Sequence, residues 1–364
     1  MRRAANRMGL PARLFAAVRF AALLAVAGGA CLLMVPTAGA ADVAAYGPNL
    51  EGFKYPYGVS LYSFKTQAQN YVMAYMDVGP DRIGIGTGRT AVLLHGMRFC
   101  GGSWATTIAA LHDAGFRVVV PDQLGFCKSS KPINYQYTFE QLAENIHALL
   151  GHIQAGRIVL VGHDMGGMLA ARYALMFPDE VLQLVLVDPL GLEDWRAEGV
   201  LYRTIDERYA MELATNSRSI ERDERAFYYG GDWQPQFDVW VRVLGSLHAD
   251  SGRERFDWNQ ALTSDMIFTQ PVLYDLDRLT MPVLLIIGEL DRAAPFRESA
   301  YPALAARLGN YPELAREAAK RIPHAQLVEI EGVGHVPHIE APERFNQALL
   351  HALANPRGAP PPSR

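Results

Sequence analysis

Three short stretches of the chain hold side chains whose types and spacing suit hydrolytic chemistry. In Val161-Gly162-His163-Asp164-Met165-Gly166-Gly167 one acid stands between glycines, after the apolar run Ile158–Val161 and before a segment with helical spacing. A strand that turns sharply into a helix leaves the residue at the turn standing proud of the sheet. The pattern is that of a nucleophile elbow, ordinarily G-x-S-x-G, with Asp164 in the serine's place. Gly288-Glu289-Leu290-Asp291 follows the apolar run Pro282–Ile287, and Gly334-His335-Val336-Pro337-His338 follows Gln326–Ile330. Nucleophile, acid and histidine therefore occur in the chain order that such a triad requires.

The elements that must position these residues are legible as alternating periodicities. Ser60–Thr66 and Gln69–Met76 read as a hairpin. Thr90–Leu94, Phe116–Val120, Ile158–Val161 and Val185–Val187 read as buried strands, separated by helical segments at Trp104–Ala114, Phe139–Ile153 and Met165–Met176. Strands alternating with helices predict a parallel sheet covered on both faces. The alternation stops at Asp188-Pro189 and resumes near Leu279. Between them lies a helical, aromatic-rich segment with Trp195, Tyr202, Tyr209, Tyr228, Tyr229, Trp233, Trp240, Trp258 and Tyr274. Pro302–Arg321 then predicts one or two helices, and Pro342–Leu353 a closing helix with Pro at its start.

From about Thr90 to Leu353 the chain resembles the α/β-hydrolases, on the elbow, the acid loop and the histidine loop just quoted. Asp at the elbow is similar to the epoxide hydrolase and haloalkane dehalogenase branch. The resemblance implies an α/β fold with a mostly parallel central sheet flanked by helices, formed by residues 41–188 and 279–354, and an inserted helical cap over 189–278. The sequence departs from that branch in two places. Met165 stands where dehalogenases usually place Trp, and fluoroacetate dehalogenases Arg. His95-Gly96-Met97-Arg98 stands where epoxide hydrolases carry His-Gly-x-Pro.

A carboxylate that attacks an ester yields an acid anhydride, a poor intermediate; attack at saturated carbon yields an ordinary ester, which water then cleaves at its carbonyl. Asp164 therefore favours opening an epoxide or displacing a halide. Neutral His335 would take the proton from water, and Asp291 would orient the imidazole and stabilise its charged form. The oxyanion forms on Asp164 itself, with the backbone N–H groups of Met97 and Met165 placed to receive it. Two competing readings of Asp164 are a degenerate elbow and a general base acting on water. Asp188 competes with Asp291 for the acid, because some dehalogenases resembling this chain carry it there; otherwise it caps a helix. His95 and His163 read as packing and hydrogen-bonding residues, His338 as support for the last loop or a substitute for His335, and Asp122 as the brace of a turn.

An epoxide oxygen asks for phenol donors, supplied by some of the five cap tyrosines; a leaving halide asks for an indole N–H, from Trp195, Trp233, Trp240 or Trp258. The sequence favours a hydrolase acting on a small apolar epoxide with water and no cofactor or metal. Alternatives are a haloalkane or haloacid dehalogenase, an esterase or lactonase in which Asp164 works through water, and a non-catalytic ligand-binding protein.

The chain has 364 residues, enough for a large domain with an inserted lobe, and a formal net charge of −4 that argues against a nucleic-acid partner. Arg2, Arg3, Arg7, Arg13 and Arg19 precede the apolar run Phe20–Val35, and Pro36-Thr37-Ala38-Gly39-Ala40 offers small residues for cleavage after Ala40. Residues 1–40 thus read as a signal peptide of an exported, periplasmic or secreted protein with no stable membrane partner; the competing reading is an uncleaved anchor. Residues 355–364 read as a disordered tail. The mature chain keeps Cys100 and Cys127, too few for a zinc framework without neighbouring His pairs. Each follows one of two strands that neighbour each other in the family's sheet, so the resemblance and export together predict a disulfide.

Overall fold

The computed structural model describes residues 46–231 and 233–356. The expected signal peptide over 1–40 and the tail from 357 onward lie outside the described residues.

Eight strands form one sheet: β1 Val59–Thr66, β2 Gln69–Val78, β3 Thr90–Leu94, β4 Arg117–Pro121, β5 Ile158–Asp164, β6 Val181–Pro189, β7 Val283–Gly288 and β8 Ala325–Ile330. Their order is β1-β2-β4-β3-β5-β6-β7-β8. The first two form an antiparallel hairpin, and β2 runs antiparallel to β4. All remaining pairs are parallel. The fold is the mostly parallel α/β sheet that the alternation predicts.

Because successive side chains on a strand point to opposite faces, each buried strand feeds two cores. Val92, Leu94, Leu160 and Leu285 join the larger cluster, with residues from helices α2 Phe139–His152 and α3 Met165–Met176. Ala91, Leu93, Val159, Val161, Leu284 and Ile286 join the other, which also holds Ile108 and Leu111 from α1 Ala105–Asp113. A strand buried on both faces shows as an unbroken apolar run, which is why β3 is readable to the residue. β6 starts four residues before the expected Val185 because Gln183, a buried polar residue, interrupts its run.

Between β6 and β7 lie α4 Trp195–Glu198, α5 Ile205–Ala214, α6 Ser217–Phe227, α7 Asp238–Ala249 and α8 Arg253–Thr269. Helix α5 begins at a capping box, in which Thr204 bonds the N–H of Glu207 and Glu207 returns the bond to Thr204. After β7, the segment expected to hold one or two helices divides into α9 Pro302–Ala305 and α10 Tyr311–Arg321, with Gly309 at φ +75° between them. The short α11 Pro337–Glu340 and the closing α12 Pro342–Ala354 follow β8.

Candidate active site

The carboxyl ends of β3, β5, β6, β7 and β8 bring the predicted residues together. Asp164 sits at the end of β5 with φ +55° and ψ −124°, a conformation that L-residues rarely adopt. Glycines make it possible. A Cβ on Gly162 would lie 2.1 Å from the carbonyl oxygen of Gly166, and one on Gly166 2.4 Å from that of Leu94. The turn presents the Asp164 carboxylate to two neighbours, one at each oxygen.

Its Oδ1 accepts the backbone N–H of Met97 at 2.8 Å and that of Met165 at 2.5 Å. Its Oδ2 lies 3.1 Å from Nε2 of His335, whose Nδ1 lies 2.8 Å from Oδ2 of Asp291. Asp291 also accepts the Ala293 N–H, at 2.8 Å. All three side chains are buried. Burial alone would raise the Asp164 carboxyl, but the hydrogen bond and charge of His335 and the Met165 N–H hold it down at about 2. Burial likewise opposes a charged His335, yet Asp291 and Asp164 override it and push the imidazole well above its ordinary range. The two carboxylates on either side of the ring thus favour its charged form.

The histidine loop is clamped from three sides. The His335 N–H donates to the carbonyl of Tyr228 at 2.7 Å, and the His335 carbonyl meets Nε2 of His163 at 2.8 Å. The Glu340 carboxylate accepts the N–H groups of Gly230, Gly231 and Gly334, tying the segment after α6 to the turn before His335. Glu340 belongs to no motif, and nothing in the sequence marks it.

The remaining histidines serve packing and bracing. His95 Nε2 accepts the Gln123 N–H at 3.0 Å, which leaves the proton on Nδ1 to donate to the Gly96 carbonyl at 2.8 Å. Burial and the adjacent His335 charge push His163 down to about 3. His338 stacks on Trp104 with ring centroids 4.1 Å apart, so it does not substitute for His335. Asp122 accepts the Gly101 N–H at 2.8 Å and the Tyr55 hydroxyl at 2.6 Å, bracing the loop that carries Met97. Cys100 and Cys127 form a disulfide with Cα atoms 5.8 Å apart, joining the same loop to the one after β4.

Asp188 does not cap a helix, contrary to the plainer of its two readings. It is the penultimate residue of β6, buried at φ +38°, and its Oδ1 accepts the Gly288 N–H at 2.9 Å. His335 instead bonds Asp291, yet Asp188 lies beside that pair. One donor atom from each of Asp188, Asp291 and His335 falls within 4.8 Å of the other two.

Of the five tyrosines between β6 and β7, in the segment expected to form the cap, only Tyr228 reaches the site. Its ring stands edge-on to His335 at 4.9 Å, and Arg98 lies over it at 5.2 Å. Burial raises its phenol, Arg98 lowers it and Asp164 raises it, with a net upward shift. Tyr202 and Tyr274 are exposed, Tyr209 packs on Trp258, and Tyr229 stacks on Phe237. A second phenol comes from outside the cap. Tyr311, the first residue of α10, is fully buried 5.9 Å from the His335 ring, and its hydroxyl has no partner among the described residues. Sequence reasoning missed Tyr311 because a Tyr-Pro helix start after Gly309 resembles any other. Above Tyr228, Arg98 lies 3.8 Å from Asp223. Burial, against the pull of Arg98, raises the neighbouring Glu224 to about 8.

The family described as alpha/beta hydrolase fold matches residues 91–342. A solved structure from Pseudomonas aeruginosa PAO1, described as a probable hydrolytic enzyme, is 53% identical, with a TM-score of 0.83 over 85% of this chain and 98% of that one. Lipase 3 of Moraxella sp. is 28% identical over 70% of this chain and 74% of its own length. Bifunctional epoxide hydrolase 2 of Sus scrofa is 24% identical over 79% of this chain and 55% of its own length.

Proposed function

The chain belongs to the α/β-hydrolase family and is a hydrolase, and from that premise we propose that it opens epoxides to diols through an ester on Asp164. The observation that carries this reading is the placement of the two Asp164 oxygens. A seryl enzyme keeps its pair of oxyanion N–H groups open for the carbonyl oxygen of a bound ester. Here Oδ1 of Asp164 fills that pair, and Oδ2 faces His335. An ester carbonyl has no oxyanion donors left, whereas an ester formed on Asp164 is already seated in them. This favours a covalent carboxylate nucleophile over an esterase in which Asp164 acts through water.

The protons balance over the cycle. Oδ2 of Asp164 attacks a ring carbon, the C–O bond breaks, and a phenol protonates the departing oxygen. His335 returns a proton to the phenol and becomes neutral. Once Asp164 is an uncharged ester, His335 has lost one of its two carboxylate partners and acts as a base. It takes a proton from water, hydroxide adds to the ester carbonyl, and the oxyanion develops on Oδ1 between Met97 and Met165. Collapse releases the diol and restores the Asp164 carboxylate beside protonated His335.

Donor supply also favours the epoxide over the halide. Tyr228 and Tyr311 flank His335. Three of the four cap indoles donate elsewhere: Trp195 to Glu193, Trp233 to Asp238 and Trp258 to the Ile133 carbonyl. The likeness to a relative named as an epoxide hydrolase supports the same chemistry. The proposal includes export, with which the Cys100–Cys127 bridge is consistent. The deciding experiment pairs 1,2-epoxyalkanes with matching 1-bromoalkanes and runs a single turnover in heavy-oxygen water. Diol formation ahead of bromide release, with label entering Asp164, supports the reading. Faster bromide release transfers the protein to the dehalogenases.

A further inference from the structure

We propose that Asp188 is a positioning residue whose carboxyl group carries a proton and donates it to Asp291, holding that carboxylate against Nδ1 of His335. The geometry assigns the proton. Asp291 already accepts two donors, His335 Nδ1 and the Ala293 N–H, and one of them is cationic. Asp188 accepts only the Gly288 N–H, at Oδ1. No N–H or O–H among the described residues donates to its Oδ2, although both carboxyl groups are wholly buried and bring an oxygen each within 4.8 Å of the other. With Asp188 ionised, three buried carboxylates would share the single His335 cation, already held between Asp164 and Asp291, and the Asp188 charge would have no cationic partner. A proton on Asp188 removes that charge and turns a repulsion into a hydrogen bond.

The groups acting on Asp188 agree. Burial and the Asp291 charge push its carboxyl well above the usual range, against the smaller pulls of His335 and the Gly288 N–H. The consequence for Asp291 is twofold. Its orientation is fixed at both oxygens, and the extra donor lowers its basicity, so the imidazolium proton stays on His335. Asp188 also holds φ +38° near the end of β6, a strained backbone conformation, and its bond from the Gly288 N–H ties its carboxyl to the start of the acid loop.

The inference rests on His335 and Asp291 working as one unit, which the proposed function also uses, but not on the identity of the substrate. Asp188→Asn is the isosteric replacement, because its amide NH₂ donates to Asp291 and its oxygen still accepts from Gly288. The folded Asp188 binds its proton more tightly than the unfolded chain does. Wild-type stability therefore falls as pH rises from the unfolded carboxylate range, about 4, toward the folded value. The melting-temperature gain of D188N over wild type should accordingly grow as pH rises above about 4, the unfolded carboxylate range. Infrared difference spectra at neutral pH should show a protonated carboxylic-acid carbonyl in wild type that is missing in D188N. In turnover, D188N should keep the wild-type pH profile, while Asp188→Ala slows the reaction about 10–100-fold, as loss of an outer orienting partner does, and displaces the His335 limb. A gain independent of pH, no acid carbonyl band, a D188N defect equal to that of D188A, or a stoichiometric divalent cation in the purified protein would each overturn the proposal. The thermal and infrared measurements need no substrate, so they stand even if the epoxide assay fails.

Discussion

Met97 donates its backbone N–H to Oδ1 of Asp164 at 2.8 Å, so in the proposed mechanism the nucleophile already occupies the oxyanion site of its own intermediate. This couples the loop after β3 to the elbow after β5. The position that makes Asp164 a suitable alkyl acceptor also denies the site to a foreign carbonyl oxygen.

Replacing Asp164 with Ser should invert the preference. Serine has no second oxygen to place between Met97 and Met165, and His335 and Asp291 are already positioned for a hydroxyl. The D164S protein should lose epoxide opening and gain hydrolysis of short p-nitrophenyl esters, with the vacated N–H groups contributing on the order of 10²–10³ in rate per donor. Retention of epoxide turnover would show that Asp164 is not the nucleophile.

His335→Gln should separate the two half-reactions. Alkylation uses Asp164 Oδ2, whereas hydrolysis needs a base for the attacking water, and His335 Nε2, 3.1 Å from that oxygen, is placed to be it. Intact-mass analysis of H335Q with excess epoxide should therefore show protein heavier by one substrate. An unmodified mass, with wild type active, would remove the covalent mechanism.

The phenols are tested by subtraction. Tyr228→Phe and Tyr311→Phe should each slow epoxide opening by about 10²-fold or more, as loss of a general-acid donor does. Tyr202→Phe and Tyr274→Phe, at exposed positions, should leave it unchanged. Equal effects at all four positions would mean that neither phenol acts on the ring oxygen.

The two ionisations predict opposite pH responses for the two steps. Asp164 is held at about 2, so it stays anionic at acid pH. The burst of alkylation in a quenched-flow experiment should persist at about pH 4, where an unperturbed carboxylate is half protonated. Steady-state turnover should fall as pH decreases, because His335 must be neutral to deprotonate water. A burst that disappears together with turnover would show that His335 does not stabilise the Asp164 anion.

Reduction of the Cys100–Cys127 bridge should lower stability more than it lowers activity. The bridge closes a segment of sequence separation 27, and a loop of this size is worth about 3–4 kcal/mol by chain entropy. Urea unfolding of the C100A/C127A protein against wild type measures this. A midpoint unchanged by the substitution would show that Asp122, which binds Gly101 and Lys128 across the same two loops, suffices alone.

How much of this was legible beforehand follows from how each feature is encoded. Unbroken apolar runs mark strands buried on both faces, and glycines beside a lone acid mark a turn that only small neighbours permit. The sheet, the elbow at Asp164 and the chain order of Asp164, Asp291 and His335 are therefore written locally. The chemistry of a carboxylate nucleophile is also local, since it follows from the side chain and its place at the turn.

Pairings made across the fold are not written in any one segment. Asp188, near the end of β6, and Asp291, in the loop after β7, compete for the acid's place in the sequence, with the loop context favouring Asp291. The seating of β6 beside β7 brings them near each other, and the fold gives His335 Nδ1 to Asp291. Tyr228 differs from Tyr229 by one position on the chain, yet one faces His335 and the other Phe237, because the direction in which α6 ends decides it. Tyr311 reaches the site from a helix that carries no motif, and Glu340 from just beyond the histidine motif, where nothing marks it. The sequence by itself determined which groups were available and what they could do. The tertiary structure decided which atoms they meet, because hydrogen-bond partners far apart on the chain are selected by packing rather than by spacing.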